Sequence, residues 1–260
     1  MDLTPIHENA AKGFGRASNA YERGRPGYPA EAISYLKELM QDARGKILVD
    51  LGAGTGKLTQ SLSDWHSTLV GVEPVEAMRK KFMKKLPHLE IHPGRAEKIP
   101  LGNASADCVV VAQAFHWFDG DLALKEIARV LKEKGKLVLL WNVRDEQFPW
   151  IARLTTLIDR YQGDSPRFRT EAWKKSFTTT TLFTSLAVAT FSHSHESTPA
   201  QLLDRVLSIS FVAALPAREQ TLLLANVKNL LDTHPATKDY KTVSMKYRTY
   251  LYWCEKRGST

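Results

Sequence analysis

The sequence contains no apolar run approaching the ~20 residues that a membrane-spanning helix requires. Its first residues contain no apolar segment of the kind found in secretory signal peptides. Cysteine occurs only twice in 260 residues, and Cys108 and Cys254 both stand in apolar or aromatic runs typical of buried strands. We therefore expect two buried free thiols and a cytoplasmic protein that does not act at a membrane.

Signatures of metal binding and of several domains are also missing. His193 and His195 would face the same side of a strand, but no cysteine or third ligand stands near them, so we expect no metal site. The chain has neither an internal repeat nor a low-complexity linker. Its 260 residues, 43% of them hydrophobic, suffice for one α/β domain with an elaboration.

Strands and helices are predicted to alternate along the first 145 residues. The predicted strands are 46–51, 68–73, 89–92, 107–112 and 136–142, and the predicted helices lie near 57–65, 75–86 and 119–131. This alternation favours a parallel sheet with helices on both faces. Farther along, a strand is predicted around 191–196, and two helices are predicted at 199–214 and 217–231.

A glycine-rich turn follows the first predicted strand, in the run Asp50-Leu51-Gly52-Ala53-Gly54-Thr55-Gly56. Glycines at alternate positions remove Cβ atoms where the backbone bends and approaches a ligand. A strand, such a turn and a helix N-terminus together form a cradle for a nucleotide-like group. The spacing differs from the Gly-x-Gly-x-x-Gly dinucleotide fingerprint, and Leu58 stands where the Walker motif requires a hydroxyl.

A carboxylate ends the next apolar run. Glu73 follows Leu69-Val70-Gly71-Val72 and stands 23 positions after Asp50. An acidic residue about 20 positions after such a turn is placed to accept hydrogen bonds from the two hydroxyls of a ribose. The first half of the chain is therefore predicted to bind a ribonucleoside.

Further motifs follow the glycine turn in order along the chain. They are Val72-Glu73-Pro74, Gly94–Pro100, Asp107–Phe118 and Ala128–Leu137. Together with the turn, they resemble the motifs of class I S-adenosylmethionine-dependent methyltransferases. Upstream, Tyr21–Pro29 resembles the N-terminal segment of a small-molecule branch that includes trans-aconitate methyltransferase. The resemblance is strong over residues 10–145 and specific for the cofactor, not for the methyl acceptor.

The resemblance implies a fold, a cofactor and a set of cofactor-binding residues. The fold would be α/β and Rossmann-like, with a seven-stranded, mainly parallel sheet, an antiparallel last strand and helices on both faces. S-adenosyl-L-methionine would be the methyl donor and S-adenosyl-L-homocysteine the product. The cofactor-binding residues implied are Tyr21, Arg25, Asp50, Gly52, Ala53, Gly54, Gly56, Glu73, Pro74, Met78, Ala96, Glu97 and Gln113.

A single methyltransferase domain with four parts is expected. Its parts would be a cofactor-covering segment at 1–28, a cofactor-binding core at 30–145, a helical lid and substrate region with one strand at 146–235, and a C-terminal strand region at 236–260. One position departs from the family pattern, because Arg95 stands where many relatives carry an aspartate that approaches the adenine amino group. Glu97 is then the nearby residue that could supply a carboxylate to adenine.

Candidate acceptor-binding residues follow the fourth and fifth predicted strands, where a parallel sheet opens its ligand crevice. His116 and Trp117 are expected to line the pocket, with packing beneath a lid as the alternative. His116 is the candidate catalytic residue, for positioning and not as a base. Arg144 could bind an acceptor carboxylate, and Asn142 stands beside it; the alternative for Arg144 is an ion pair with an acidic residue next to it in sequence.

The net charge of +8 raises the alternative of a nucleic-acid substrate. On the predicted helix 75–86, however, Met78, Phe82 and Leu86 form a buried stripe and leave the lysines on a solvated face. Cys108 is not preceded by proline, and 113–116 lacks the Asn/Asp-Pro-Pro-Tyr/Phe motif, so two signatures of DNA methyltransferases are missing. We predict methyl transfer to a small molecule, with a carboxylate oxygen as a candidate acceptor. A tRNA or rRNA methyltransferase and a non-catalytic cofactor-binding protein are the alternatives.

Overall fold

The computed structural model describes residues 24–41, 44–65 and 67–258. Tyr21 and most of the expected cofactor-covering segment lie outside these residues. The described strands are β1 (Ile47–Leu51), β2 (Thr68–Val72), β3 (Glu90–His92), β4 (Ala106–Ala112), β5 (Leu131–Arg144), β6 (Ala187–Ser197) and β7 (Val243–Glu255).

Helices connect the strands and cover the sheet. They are α1 (Ala30–Met40), α2 (Lys57–Ser61), α3 (Glu76–Lys85), α4 (Gly120–Val130), α5 (Pro149–Asp159), α6 (Lys175–Thr179), α7 (Pro199–Leu207), α8 (Ser210–Ala213) and α9 (Ala217–Thr233). Short 3₁₀ turns lie at Phe115–Trp117, Phe168–Thr170 and Ala172–Lys174.

The seven strands form one sheet in the order β3-β2-β1-β4-β5-β7-β6. Pairing is parallel from β3 to β5, and β7 runs antiparallel to both of its neighbours. The predicted seven-stranded, mainly parallel sheet with an antiparallel last strand is therefore confirmed. Its order reverses at β1, which brings the ends of β1 and β4 together as the topological switch point of the fold.

Several predicted elements differ from the observed ones in length. The fifth strand, predicted at 136–142, spans Leu131–Arg144, because it pairs with β4 at its start and with β7 to its end. The helix predicted at 199–214 is divided into α7 and α8. The helix predicted near 57–65 ends at Ser61.

Each face of the sheet has its own hydrophobic core, since successive strand residues point to opposite sides. On β4, Val109 packs with α4, whereas Val110 packs with α1. A third cluster joins α5, α7 and α9 to the first half of β7, through residues such as Leu154, Leu202 and Val227. The insertion between β6 and β7 is thus a helical layer placed beside the carboxyl end of β5.

The buried stripe on α3 and the two buried cysteines agree with the sequence analysis. Met78, Phe82 and Leu86 are buried, while Lys80 and Lys84 are exposed, as the predicted stripe requires. The two cysteines are buried free thiols. Within the described ranges, no helix is both long and apolar enough to cross a membrane, and no group of three or more histidine, cysteine, aspartate or glutamate residues could hold a metal ion.

Candidate active site

The glycine turn after β1 uses the left-handed backbone conformation at three positions. Gly52, Gly54 and Gly56 have φ values of 77°, 57° and 79°. A Cβ atom on Gly56 would lie 2.8 Å from the Phe82 ring, and one on Gly52 would lie 2.9 Å from the Cβ of Ala114. Gly52 and Gly56 are therefore required for packing as well as for backbone conformation.

Two buried carboxylates flank this turn. The Glu73 carboxylate accepts the Gly54 N–H at 2.9 Å through Oε2 and the Val75 N–H at 2.8 Å through Oε1. The Asp50 carboxylate accepts the Thr59 hydroxyl at 2.6 Å through Oδ2, whereas its buried Oδ1 has no partner among the described residues. Burial raises the pKa of both carboxyls to about 6.

These atoms fit two polar parts of S-adenosylmethionine, the ribose hydroxyls and the amino group of its methionine portion. Each Glu73 oxygen holds one backbone donor and keeps a lone pair for a ribose hydroxyl. A buried carboxylate oxygen without a partner, such as Asp50 Oδ1, is suited to a cationic amino group. Gly54, which donates its N–H to Glu73, has a left-handed backbone conformation and would admit close approach of a ligand.

The other predicted cofactor residues occupy varied positions. Ala53, Met78 and Ala96 are buried, and Pro74 is half-buried with its carbonyl accepting from Arg79. Glu97 is already engaged, because one oxygen accepts the Asp119 N–H at 3.0 Å and the other lies 3.4 Å from Arg95 Nε. Its assignment to adenine stays a prediction.

A pocket of about 120 Å³ opens at the carboxyl ends of β4 and β5. The sequence-predicted residues Gln113, His116, Trp117, Asn142 and Arg144 all line it. Further lining residues come from the helical layer and the segment before it: Pro166, Arg167, Phe168, Arg169, Arg205, Ile209, Ser210 and Phe211. The structure therefore brings the predicted acceptor residues together with eight residues for which the sequence analysis predicted no role in the pocket.

Cations dominate the pocket lining. Five arginines line it, namely Arg25, Arg144, Arg167, Arg169 and Arg205, whereas Glu146 is the one acid in the described lining. Asp159, just behind the lining, is shared by Arg144 at 3.9 Å, by Arg169 at 3.3 Å and by Arg167. The expected alternative for Arg144, a pair with an adjacent acid, is not what forms, since Glu146 pairs with Arg169 and Asp145 with Arg248.

Arg144 and Arg205 carry charge that the described protein groups do not neutralise well. Arg144 Nε donates to Thr155 Oγ1 at 2.9 Å; burial, together with Arg205 and Arg167, lowers the pKa of Arg144 to about 9. Arg205 donates to Ser208 Oγ at 3.3 Å, its buried Nε has no partner, and no described carboxylate pairs with it. Arg144 shares one carboxylate with two other arginines and lies beside the half-buried Arg205, and this excess of positive charge points to an anionic ligand.

His116 is neutral and hydrogen-bonded. Its Nδ1 accepts the indole N–H of Trp141 at 3.1 Å. Burial, together with the charges of Arg25 and Arg167, lowers the pKa of His116 to about 3. His116 therefore stays uncharged at physiological pH.

Asn142 is hydrogen-bonded to the segment at the start of the described chain. Asn142 Oδ1 accepts the Thr249 hydroxyl at 2.7 Å, and its Nδ2 donates to the Gly27 carbonyl at 2.8 Å. Arg25 donates to the Ser208 carbonyl at 3.1 Å. The Asn142 side chain thus fixes the segment around Gly27 over the pocket rim.

Sequence reasoning missed Arg205 as a pocket residue. A signal exists: on α7, Leu202 and Val206 form the buried stripe, and Arg205 directly precedes Val206 at the flank of that stripe. Arg167 and Arg169 were recognisable only as part of a basic set, since their place beside β5 depends on the tertiary fold.

Replacing Gly54 should weaken cofactor binding in addition to destabilising the fold. In Gly54→Val, an L side chain would occupy a φ of 57°, a conformation that costs ~1–2 kcal/mol, and would also intrude where the turn meets the ligand beside Glu73. We expect S-adenosylhomocysteine affinity to fall about tenfold or more by calorimetry. Gly45→Val is the matched control, because Gly45 has a φ of 71° with open space around it, so it should lose stability without losing affinity. Equal affinities in the two variants would contradict the assignment of Gly54.

Comparison with known proteins finds methyltransferases along nearly the whole chain. A methyltransferase domain model matches residues 49–139. The chain is 39% identical over 247 residues to an uncharacterized methyltransferase of Mycobacterium tuberculosis, covering 95% of this chain and 97% of that protein. It is 34% identical to an uncharacterized methyltransferase-like protein of Schizosaccharomyces pombe, covering 91% of this chain and 92% of that one.

A solved structure shares the fold. A putative type II methyltransferase from Anaeromyxobacter dehalogenans superposes with a TM-score of 0.65 at 24% identity, over 90% of this chain and 97% of that one. The similarity to this structure extends over nearly the whole of both chains. With its sequence motifs, sheet order and near full-length relatives, the chain belongs to the class I S-adenosylmethionine-dependent methyltransferases.

Proposed function

We propose that this methyltransferase methylates a carboxylate oxygen of a small organic acid. The observation that carries the proposal is the cationic pocket, in which five arginines and one acid line the same space. A guanidinium presents a planar fork of donors that matches a carboxylate, so an acidic ligand would relieve the repulsion among these groups. Arg144 and Arg205 are the residues we assign to this role.

The cofactor would lie on the other side of the pocket, held by the core at 30–145. Bound S-adenosylmethionine supplies an electrophilic methyl group on a sulfonium centre. Asp50 and Glu73 would accept its hydrogen bonds beside the turn at Gly54, and Gln113, which lines the pocket, would lie where the two sites meet. The region 146–235 would form the acceptor wall, and the segment 1–28 would cover the cofactor.

An ionised carboxylate needs no base, which agrees with a neutral His116. What the protein must supply is orientation of the acceptor oxygen and exclusion of water. Trp117, Trp141 and Phe168 provide an aromatic wall for that purpose. His116 would then help to position the acceptor and would not remove a proton from it.

The test is to incubate the protein with methyl-labelled cofactor and a metabolite extract, and then with a panel of small carboxylic acids. We expect label in the small-molecule fraction, released as methanol by mild base, because methyl esters are base-labile whereas N- and C-methyl groups are not. An extract treated beforehand to esterify its acids is the matched control and should accept no label.

Other outcomes would contradict this proposal in distinct ways. Base-stable small-molecule label would indicate a different acceptor atom. Label in RNA, with salt-sensitive binding, would favour an RNA methyltransferase that uses the basic surface. Tightly retained cofactor without transfer to any fraction would favour a non-catalytic binding protein.

A further inference from the structure

The hydrogen bond between Trp141 and His116 determines which imidazole nitrogen carries the proton. An indole N–H is only a donor, and here it points at His116 Nδ1 from 3.1 Å. Nδ1 must therefore be the bare nitrogen of the ring. A neutral imidazole with a bare Nδ1 carries its hydrogen on Nε2.

Trp141 is held too firmly to release this bond. It lies within β5 with 1% of its surface exposed. The rings of Trp173, Phe168 and Tyr252 pack against its indole at 4.6, 5.0 and 6.0 Å between centroids. The opposite His116 tautomer would aim two N–H groups at each other and leave a buried donor unsatisfied, which makes it roughly 10- to 100-fold less populated.

The charged groups around His116 also disfavour an imidazolium. Arg25 comes from the N-terminal segment, Arg167 from the stretch after α5, Arg144 from the end of β5 and Arg205 from α7. Glu146 is the acid in this described lining, and it pairs with Arg169. Burial and the nearby arginines keep the pKa of His116 well below neutrality.

We propose that Trp141 is a positioning residue that locks His116 as a hydrogen-bond donor, and that this donor selects acceptors whose reacting oxygen enters without a proton. The inference rests on the proposed carboxylate methylation and narrows its acceptor class. Nε2–H can hold one lone pair of a carboxylate while another lone pair attacks the methyl carbon. The O–C bond forms as the S–C bond breaks, the two opposite charges cancel, and no proton is released.

The same lock excludes other acceptors. A phenol, an alcohol or an ammonium group must lose a proton during or before transfer. His116 cannot take that proton, since the indole occupies Nδ1 and Nε2 already carries hydrogen. The pocket is therefore suited to carboxylates and unsuited to neutral hydroxyls and to ammonium groups.

Nitrogen NMR of histidine-labelled protein tests the lock without any substrate. Wild-type His116, assigned by its absence in His116→Gln, should show protonated Nε2 and bare Nδ1 from about pH 5.5 to 8.5, because no titration falls in that range. A protonated Nδ1, or a titration within that range, would overturn the proposal. This readout does not depend on which acid is methylated.

Two tryptophan variants separate the lock from general packing. Trp141→Phe removes the indole N–H and should let His116 exchange between its two neutral tautomers. Trp173→Phe is the matched control: its indole belongs to the same aromatic cluster but donates to the Phe168 carbonyl, so His116 should keep its tautomer. Identical His116 spectra in Trp141→Phe and wild type would contradict the role of Trp141.

Histidine variants test the donor in catalysis, with methyl-labelled cofactor and the panel of carboxylic acids. His116→Gln keeps a donor near the Nε2 position and should retain kcat/KM within about tenfold, whereas His116→Asn and His116→Phe should lose more. If kcat/KM falls as far in His116→Gln as in His116→Phe, His116 acts as a base and the donor role is overturned. Failure of the wild type to methylate any acid would instead refute the proposed function. The NMR experiment would still decide whether Trp141 fixes the His116 tautomer.

Discussion

S-adenosylhomocysteine should bind about 100-fold more weakly at pH 5 than at pH 7, because two buried carboxyls must be ionised to accept its hydrogen bonds. Burial raises the pKa of Asp50 and of Glu73 to about 6. Each group is then only about one-tenth ionised at pH 5, and the two requirements multiply. Calorimetric titrations between about pH 5 and 8 measure this dependence.

The stability of the protein without cofactor should respond to the same groups with the opposite sign. The folded-state pKa of each carboxyl lies above its ordinary value of 3.8 or 4.5. Their favourable contribution is therefore complete below about pH 4 and is lost as the pH rises through about 6. At 1.36 kcal/mol per pKa unit, the loss reaches at most about 3 kcal/mol for Asp50 and about 2 kcal/mol for Glu73.

Asp50→Asn tests whether Asp50 causes the pH dependence of both cofactor affinity and stability. The variant should be more stable than the wild type at pH 7, should lose that advantage near pH 4, and should bind cofactor weakly at every pH. Asp107→Asn is the matched control. The Asp107 carboxylate accepts hydrogen bonds from Ile47 N–H and Lys132, and these groups hold the pKa of its carboxyl low, so this variant should not gain stability at pH 7. Cofactor affinity that is flat between pH 5 and 7 in the wild type would contradict the roles given to Asp50 and Glu73.

The cofactor half of the fold could be predicted because its signals are local. The turn from Gly52 to Gly56 and the carboxylate at Glu73 each follow an apolar strand directly, and the observed φ values explain why glycine stands there. The alternation of elements is enough to predict a parallel sheet. The antiparallel β7 came instead from family resemblance, since periodicity alone does not give strand direction.

The acceptor pocket could be predicted only in part. His116 and Arg144 stand at strand ends, where a ligand crevice is expected. Arg205 reaches the same space from an inserted helix, and the partner of His116, Trp141, looks in sequence like an ordinary strand residue. Such contacts depend on how the helical layer packs on β7, which is a property of the tertiary structure and not of any one segment.

Arg205→Met should reduce kcat/KM for an acidic acceptor while leaving the protein at least as stable as the wild type. Arg205 has one hydrogen bond of 3.3 Å, a buried Nε without a partner, and no ion pair with a described carboxylate, so we expect its charge to cost stability in the absence of a ligand. Removal of a charge-assisted contact to an acceptor carboxylate should lower kcat/KM roughly 10- to 100-fold, mainly through KM. Thermal unfolding without acceptor should give an unchanged or higher Tm.

The double variant Arg144→Met with Arg205→Met should have the largest effect, a loss of roughly 1000-fold in kcat/KM, because both forks that would hold the acceptor are gone. Cofactor affinity should stay near that of the wild type, since neither residue contacts the glycine turn or its carboxylates. Arg153→Met is the matched control: Arg153 lies on the exposed side of α5, outside the pocket lining, and its loss should change neither quantity.

If Arg205→Met lowers Tm and leaves acceptor kinetics untouched, Arg205 is a structural residue and the cationic pocket loses its role in acceptor binding. If both single variants leave KM for acids unchanged, the acceptor is not held by its negative charge.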